Sequence, residues 1–103
     1  EAAVRETQEE TGCTGEIITE LSEIEYWYTR SDEGEKVRVK KVVRFFLMEY
    51  QSGDIADHDH EVIDACWMEL DKALKEISYD AESRVLQEAI HSWDAHLYRQ
   101  GLL

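Results

Sequence analysis

Between Gly15 and Tyr50 the side chains alternate, and one polar turn interrupts the alternation. From Gly15 to Thr29 the residues are β-branched and aromatic, with Ile24, Tyr26 and Tyr28 on one parity and Glu23, Glu25 and Trp27 on the other. A period of two marks a strand with one buried face. Val37 to Tyr50 is the stronger strand, with Val39, Val43, Phe45 and Leu47 on one parity. Ser31-Asp32-Glu33-Gly34 lies between them as a polar turn. The two strands are expected to close as an antiparallel hairpin, with a small kink near Ser22. Whatever this chain folds into has to be built around that hairpin.

The flanks supply helices. Residues 1–11 read as a helix, with Gly12 placed for a left-handed C-cap. Gln51 to His60 is a polar loop containing Gly53, and Glu61 to Leu70 is expected to be a third, short strand. Asp71 is the expected N-cap of a helix reaching Ile77. A last helix starts at Asp80, with Val85, Leu86, Ala89, Ile90, Trp93 and Leu97 as one apolar stripe. Trp67 and Trp93 read as core. The order helix, three strands, two helices gives a mixed α and β fold, the α+β class.

Composition narrows the partners. With 103 residues and a net charge of -13, the chain is one small domain that repels nucleic-acid phosphates, so a duplex is not expected as partner. Small nucleotides remain open, because a cation can bridge carboxylate and phosphate. No apolar run approaches the ~18–20 residues of a membrane helix, no signal peptide is visible, and proline is absent. Cys13 and Cys66 stand far apart without a CxxC, which fits reduced thiols in a cytoplasm.

The first helix carries the most unusual charge pattern. At about 100° per residue, Glu6, Glu9 and Glu10 fall within about 100° of one face. Ala3, Val4, Thr7 and Thr11 gather on another face that can pack. The like charges are neighbours one turn apart and repel by a few tenths of a kcal/mol per pair. Arg5 can offset this by pairing with Glu9. A solvated acidic face is one reading. The other is a hard cation among the carboxylates, with Mg²⁺ keeping waters and substrate phosphates in the rest of its shell.

The string Arg5-Glu6-Thr7-Gln8-Glu9-Glu10-Thr11-Gly12-Cys13 resembles the second half of the Nudix box. That half reads Arg-Glu, an aliphatic, any residue, Glu-Glu, any residue, Gly and an aliphatic. Arg5, Glu6, Glu9, Glu10 and Gly12 match, while Thr7 and Cys13 stand where aliphatics are preferred. The first Glu and Gly of the box would lie before residue 1, as would the strands that precede it. Gly15-Glu16-Ile17, Ile24 to Thr29, Phe45 to Met48, and His60-Glu61-Val62 followed by Trp67 resemble one branch, the bacterial hydrolases of diadenosine tetraphosphate and related dinucleoside polyphosphates.

The resemblance implies a Nudix-type α/β/α sandwich with a mixed sheet, residues 1–103 being one partial domain. It implies Mg²⁺ or Mn²⁺ as cofactor. Glu9 and Glu10 would be metal ligands, and Glu6 a ligand or the group that takes a proton from water. Arg5 would be structural and hold a glutamate in place, and Gly12 would turn the chain after the helix. Glu61 sits where the family often supplies one more carboxylate, as base or ligand. The cation would neutralise charge building on the phosphoryl oxygens, leaving the protein chiefly to position the groups.

Lys36, Arg38, Lys40, Lys41 and Arg44 are five of the eleven basic residues, within nine positions. They form either a wall for a polyphosphate or cross-strand partners of Glu23 and Glu25. Lys40, Lys41 and Arg44 are the substrate-binding candidates, with Lys40 or Lys41 as the phosphate contact and Arg38 as the structural pair. Tyr28 is the candidate for stacking a base. His58 and His60 with Cys66 make a weak zinc set and read as surface loop.

The function expected is Mg²⁺-dependent hydrolysis of a diphosphate linkage in a nucleoside polyphosphate, foremost a dinucleoside polyphosphate such as diadenosine tetraphosphate. A nucleoside triphosphate or ADP-ribose pyrophosphohydrolase is the alternative on the same fold. A non-catalytic Nudix-like module that binds a nucleotide or a protein is the alternative of another class. The expected partner is a small-molecule nucleotide, with no duplex and no membrane, and a homodimer left open. Residues 1–103 alone are expected to be inactive and not to stand as a stable monomer, because sheet surface and a helix start are left uncovered.

Overall fold

The computed structural model describes residues 2–57 and 65–102. Its elements are α1 (Ala2–Thr11), β1 (Cys13–Asp32), β2 (Glu35–Gly53), a short 3₁₀ turn (Ile55–Asp57), α2 (Leu70–Glu76) and α3 (Asp80–Arg99). The class is α+β, as the alternation and the helical stripes imply.

The hairpin is longer than its apolar alternation suggests. β1 and β2 pair from Cys13↔Gly53 at the mouth to Asp32↔Glu35 at the tip. The turn is the two-residue Glu33-Gly34, with φ of 51° and 83°. Two left-handed residues are what a type I′ turn requires, and its twist matches that of the strands. Polar residues out to the tip therefore continue the ladder instead of ending it.

Register shifts interrupt the pairing at Thr14/Gly15, Ile17/Thr19 and Glu20/Glu23. The last of these is the kink expected near Ser22, and it frees that residue's backbone. The Ser22 amide donates to Glu88 Oε1 at 3.0 Å and its hydroxyl to Glu88 Oε2 at 2.7 Å, both on α3. The bulge thus re-aims a strand donor onto a helix.

The core is where α3 crosses the hairpin. Leu21, Ile24 and Val85 are buried, with Tyr26, Phe45, Leu47, Ala81 and Ala89 packed around them. These β2 residues are odd-numbered, and alternation turns Arg44, Phe46 and Met48 to the other face. That face meets α1, since Ala2, Ala3, Glu6 and Thr7 share a groove with Arg44, Phe46 and Met48. The helices therefore lie on opposite faces of the hairpin, a helix–sheet–helix layering. Among the described residues the sheet has two antiparallel strands and is not mixed.

Three expectations need correction. Of the third strand at 61–70, residues 61–64 lie outside the described residues, 65–69 have no regular structure, and Leu70 already opens α2. Residues 65–69 pair with neither strand of the hairpin among the described residues, and strand-like composition alone does not make a strand without cross-strand packing. Trp67 is 66% exposed rather than core; it meets Tyr50 edge-on, ring centroids 5.3 Å apart. The cap of α2 is Glu69, with Asp71 inside the first turn, where a carboxylate still suits the helix dipole.

Tyr26 links the same two elements through a polar contact. Its hydroxyl donates to Glu82 Oε2 at 2.8 Å, and this bond, followed by burial, raises the phenol above its usual range. A raised folded-state value means the bond stabilises fully below the ordinary tyrosine value of about 10 and is lost as pH rises through the folded one. Tyr26→Phe is expected to lower Tm at neutral pH, with the difference closing in strong alkali. A difference unchanged across that range would show that the hydrogen bond is not its cause.

Candidate active site

The acidic helix ends in a tightly fixed turn. Gly12 has φ of 79°, and its amide donates to the Gln8 carbonyl at 2.9 Å, the left-handed helix cap. The Thr11 hydroxyl donates to the Thr7 carbonyl at 2.7 Å and accepts the Cys13 amide at 3.1 Å. This carries the chain from helix into β1 in two residues. Ala3, Val4, Thr7 and Thr11 are half-buried on the packing side, and Glu6, Glu9 and Glu10 are exposed.

Arg5 stands between two of the carboxylates. Its Nη1 is 3.1 Å from Glu9 Oε1, and its Nη2 is 3.8 Å from Glu6 Oε1. At such exposure the pair adds at most about 1 kcal/mol, but it fixes where two like charges sit. Among the described residues no three Asp, Glu, His or Cys side chains converge closely enough to form a closed cage. Mg²⁺ does not use such a cage; it takes one or two carboxylates and completes its octahedron with waters and phosphates. An open row of hard oxygen donors fits that cation and does not fit zinc, which wants nitrogen and sulfur. Glu61, His58 and His60 lie outside the described residues.

The hairpin sorts the basic residues by face. Arg38, Lys40 and Arg44 share parity with Phe46 and Met48 and so lie on the α1 face. Lys41 and Tyr28 do not: Lys41 pairs with Tyr26, and Tyr28 follows Tyr26 by two, on the α3 face. The structure brings Glu6 and Arg44 to one groove and leaves Tyr28 and Lys41 across the sheet. Arg44 is opposite Glu23 in register, yet no ion pair joins it among the described residues. Lys40 Nζ is 3.5 Å from Glu25 Oε1. Arg38 finds a ring instead of a carboxylate, with its guanidinium carbon 4.5 Å from the Trp27 centroid.

A separate apolar cavity of about 270 Å³ lies behind α1, lined among others by Thr7, Thr11, Cys13, Met48, Tyr50 and Trp67. Cys13 and Cys66 both border it, and neither is in a disulfide.

The NUDIX domain family matches residues 1–89, from the acidic helix through most of α3. The chain belongs to the Nudix family. A curated relative, "Putative mutator protein MutT4" of Mycobacterium tuberculosis, is 32% identical over 89 residues, covering 86% of this chain and 34% of the relative. The chain spans about a third of the length of the curated relative it matches. The helix that resembles the second half of the Nudix box is α1, and its glutamates are the exposed row described above. No helix among the described residues is long and apolar enough to cross a membrane.

Of the string Tyr26-Trp27-Tyr28, which could offer a ring to a base, Trp27 is the one on the same face as Arg38, Lys40 and Arg44. Its parity with Glu23 and Glu25 was visible; its place opposite Lys40 depends on register, which the turn and the bulges set together.

Proposed function

We propose that the complete protein is a Mg²⁺-dependent Nudix hydrolase that cleaves a diphosphate linkage in a nucleoside polyphosphate, foremost a dinucleoside polyphosphate such as diadenosine tetraphosphate. One observation carries this reading: Glu6 and Arg44, which has no ion pair among the described residues, share one groove, and Lys40 and Arg38 continue along the same sheet face. Glu9 and Glu10, with Glu6, hold the cation, which when bound supplies charge neutralisation at the phosphoryl oxygens and a more acidic water. Glu6 or Glu61 takes the proton. Arg5 keeps Glu9 and Glu6 in position, Arg44 binds a phosphate at the cut, and Lys40 binds one further along. Lys41 and Tyr28 hold substrate only where it reaches round the strand edge. The two free cysteines suit a reducing cytoplasm, and a homodimer is the oligomer to test for by light scattering.

A nucleoside triphosphate substrate is the second reading, supported by the likeness to a protein named a mutator. A row of cations suits a long phosphate chain better than the diphosphate of ADP-ribose. The complete enzyme is therefore expected to prefer diadenosine tetraphosphate over ADP-ribose in kcat/KM by at least ~10-fold, about 1.4 kcal/mol. Lys40→Ala should weaken the long substrate more than the short one. Parallel kinetics with diadenosine tetraphosphate, ATP and ADP-ribose decide it, and equal preference would remove the dinucleoside assignment while leaving the Nudix chemistry.

A further inference from the structure

We propose that Trp27 is the nucleobase platform of this site, and that its distance from the box helix selects nucleotides with three or more phosphates in a row. The inference rests on the polyphosphate hydrolase reading above. Trp27 is 52% exposed on the α1 face of the hairpin. Arg38 lies 4.5 Å from the ring centroid and Lys40 Nζ 5.8 Å. With two cations over it, the indole still keeps half its surface open to a planar ligand. Base–aromatic stacking is favourable for any base, because every base has a π-face, and Arg38 adds a second plane beside the ring. Tyr28 offers a similar ring but on the other side of the sheet.

Register turns the platform into a ruler. Trp27 pairs with Lys40, and Glu23 pairs with Arg44. Four residues of strand separate the two levels, about 13 Å at ~3.3 Å per residue. Arg44 in turn shares a groove with Glu6. A base on Trp27 would run its ribose and first phosphates past Lys40, which Glu25 holds on this face at 3.5 Å. A later phosphate would then reach Arg44 and the glutamates. A nucleoside mono- or diphosphate on the same platform falls short of them.

Binding tests this apart from turnover. In the complete protein with Mg²⁺, calorimetry with adenosine 5′-tetraphosphate, ADP and inorganic tripolyphosphate is compared for native protein, Trp27→Phe and Trp27→Ala. Trp27→Ala is expected to weaken adenosine tetraphosphate at least ~10-fold, or ~1.4 kcal/mol, and to leave tripolyphosphate within about 2-fold. Trp27→Phe should recover most of the loss. Arg44→Ala should cancel the extra affinity of adenosine tetraphosphate over ADP. Unchanged nucleotide affinity in Trp27→Ala, or an equal loss for tripolyphosphate, overturns the platform even if hydrolysis is normal. Nucleotide affinity that depends on Trp27 in a protein that cleaves none of these compounds upholds the platform and removes the hydrolase reading instead.

Discussion

Replacing Glu9 or Glu10 by Gln in the complete protein is expected to lower turnover by at least ~10²-fold each, about 2.7 kcal/mol of transition-state stabilisation. The side chain keeps its shape and loses its charge, so what is removed is the attraction for a divalent cation. Both residues are exposed, so folding should be nearly unaffected. Glu9→Gln also weakens the 3.1 Å contact with Arg5, but an exposed pair of this kind contributes at most about 1 kcal/mol. Tm should therefore stay within a few degrees while the rate falls. The midpoint of Mn²⁺ binding, followed with nucleotide present, should rise in both variants. Near-normal turnover in both would remove the metal role from this helix.

Gly12→Ala is expected to act on stability before it acts on rate. A Cβ at Gly12 would stand 2.3 Å from the Asp54 carbonyl oxygen and 2.9 Å from backbone of Asp57, with φ at 79°. The left-handed conformation alone costs a non-glycine roughly 1–2 kcal/mol, and overpacking against backbone adds roughly 1–3. A loss of about 2–5 kcal/mol is expected in denaturant unfolding of the complete protein. Gly34→Ala, also at positive φ but with nothing within 4 Å, should cost only the conformational part. If the two variants lose the same amount, the close approach at Gly12 is not what constrains that position.

The contrast shows what was legible in the sequence. The helix, its glycine stop and the pairing of Arg5 with Glu9 follow from spacing that acts over one turn, and all are found. The hairpin follows from alternation, and so does the stripe that puts Val85 of α3 in the core. What depends on register was not legible. Alternation already puts Lys40 and Lys41 on opposite faces; that Lys40 stands opposite Trp27 and Lys41 opposite Tyr26 is set by register. Arg38 was expected to answer a carboxylate; it lies over Trp27 because a diagonal neighbour is nearer than a charge further down the strand. Residues 65–69 carry strand-like composition but pair with neither hairpin strand among the described residues; composition does not specify such pairing.

The two ends of the hairpin differ in when they form. The Glu33-Gly34 turn joins residues adjacent in sequence, whereas Cys13↔Gly53 closes a long loop. Pairing that spreads from the turn meets the smallest entropy of closure at each step. The mouth, with Gly12 and the glutamate helix attached to it, is then among the last parts to assemble. On that order, changes at the mouth are expected to act mainly on the unfolding rate and little on the folding rate. The same order would set the glutamate row in place only after the strand that carries Arg44 is paired.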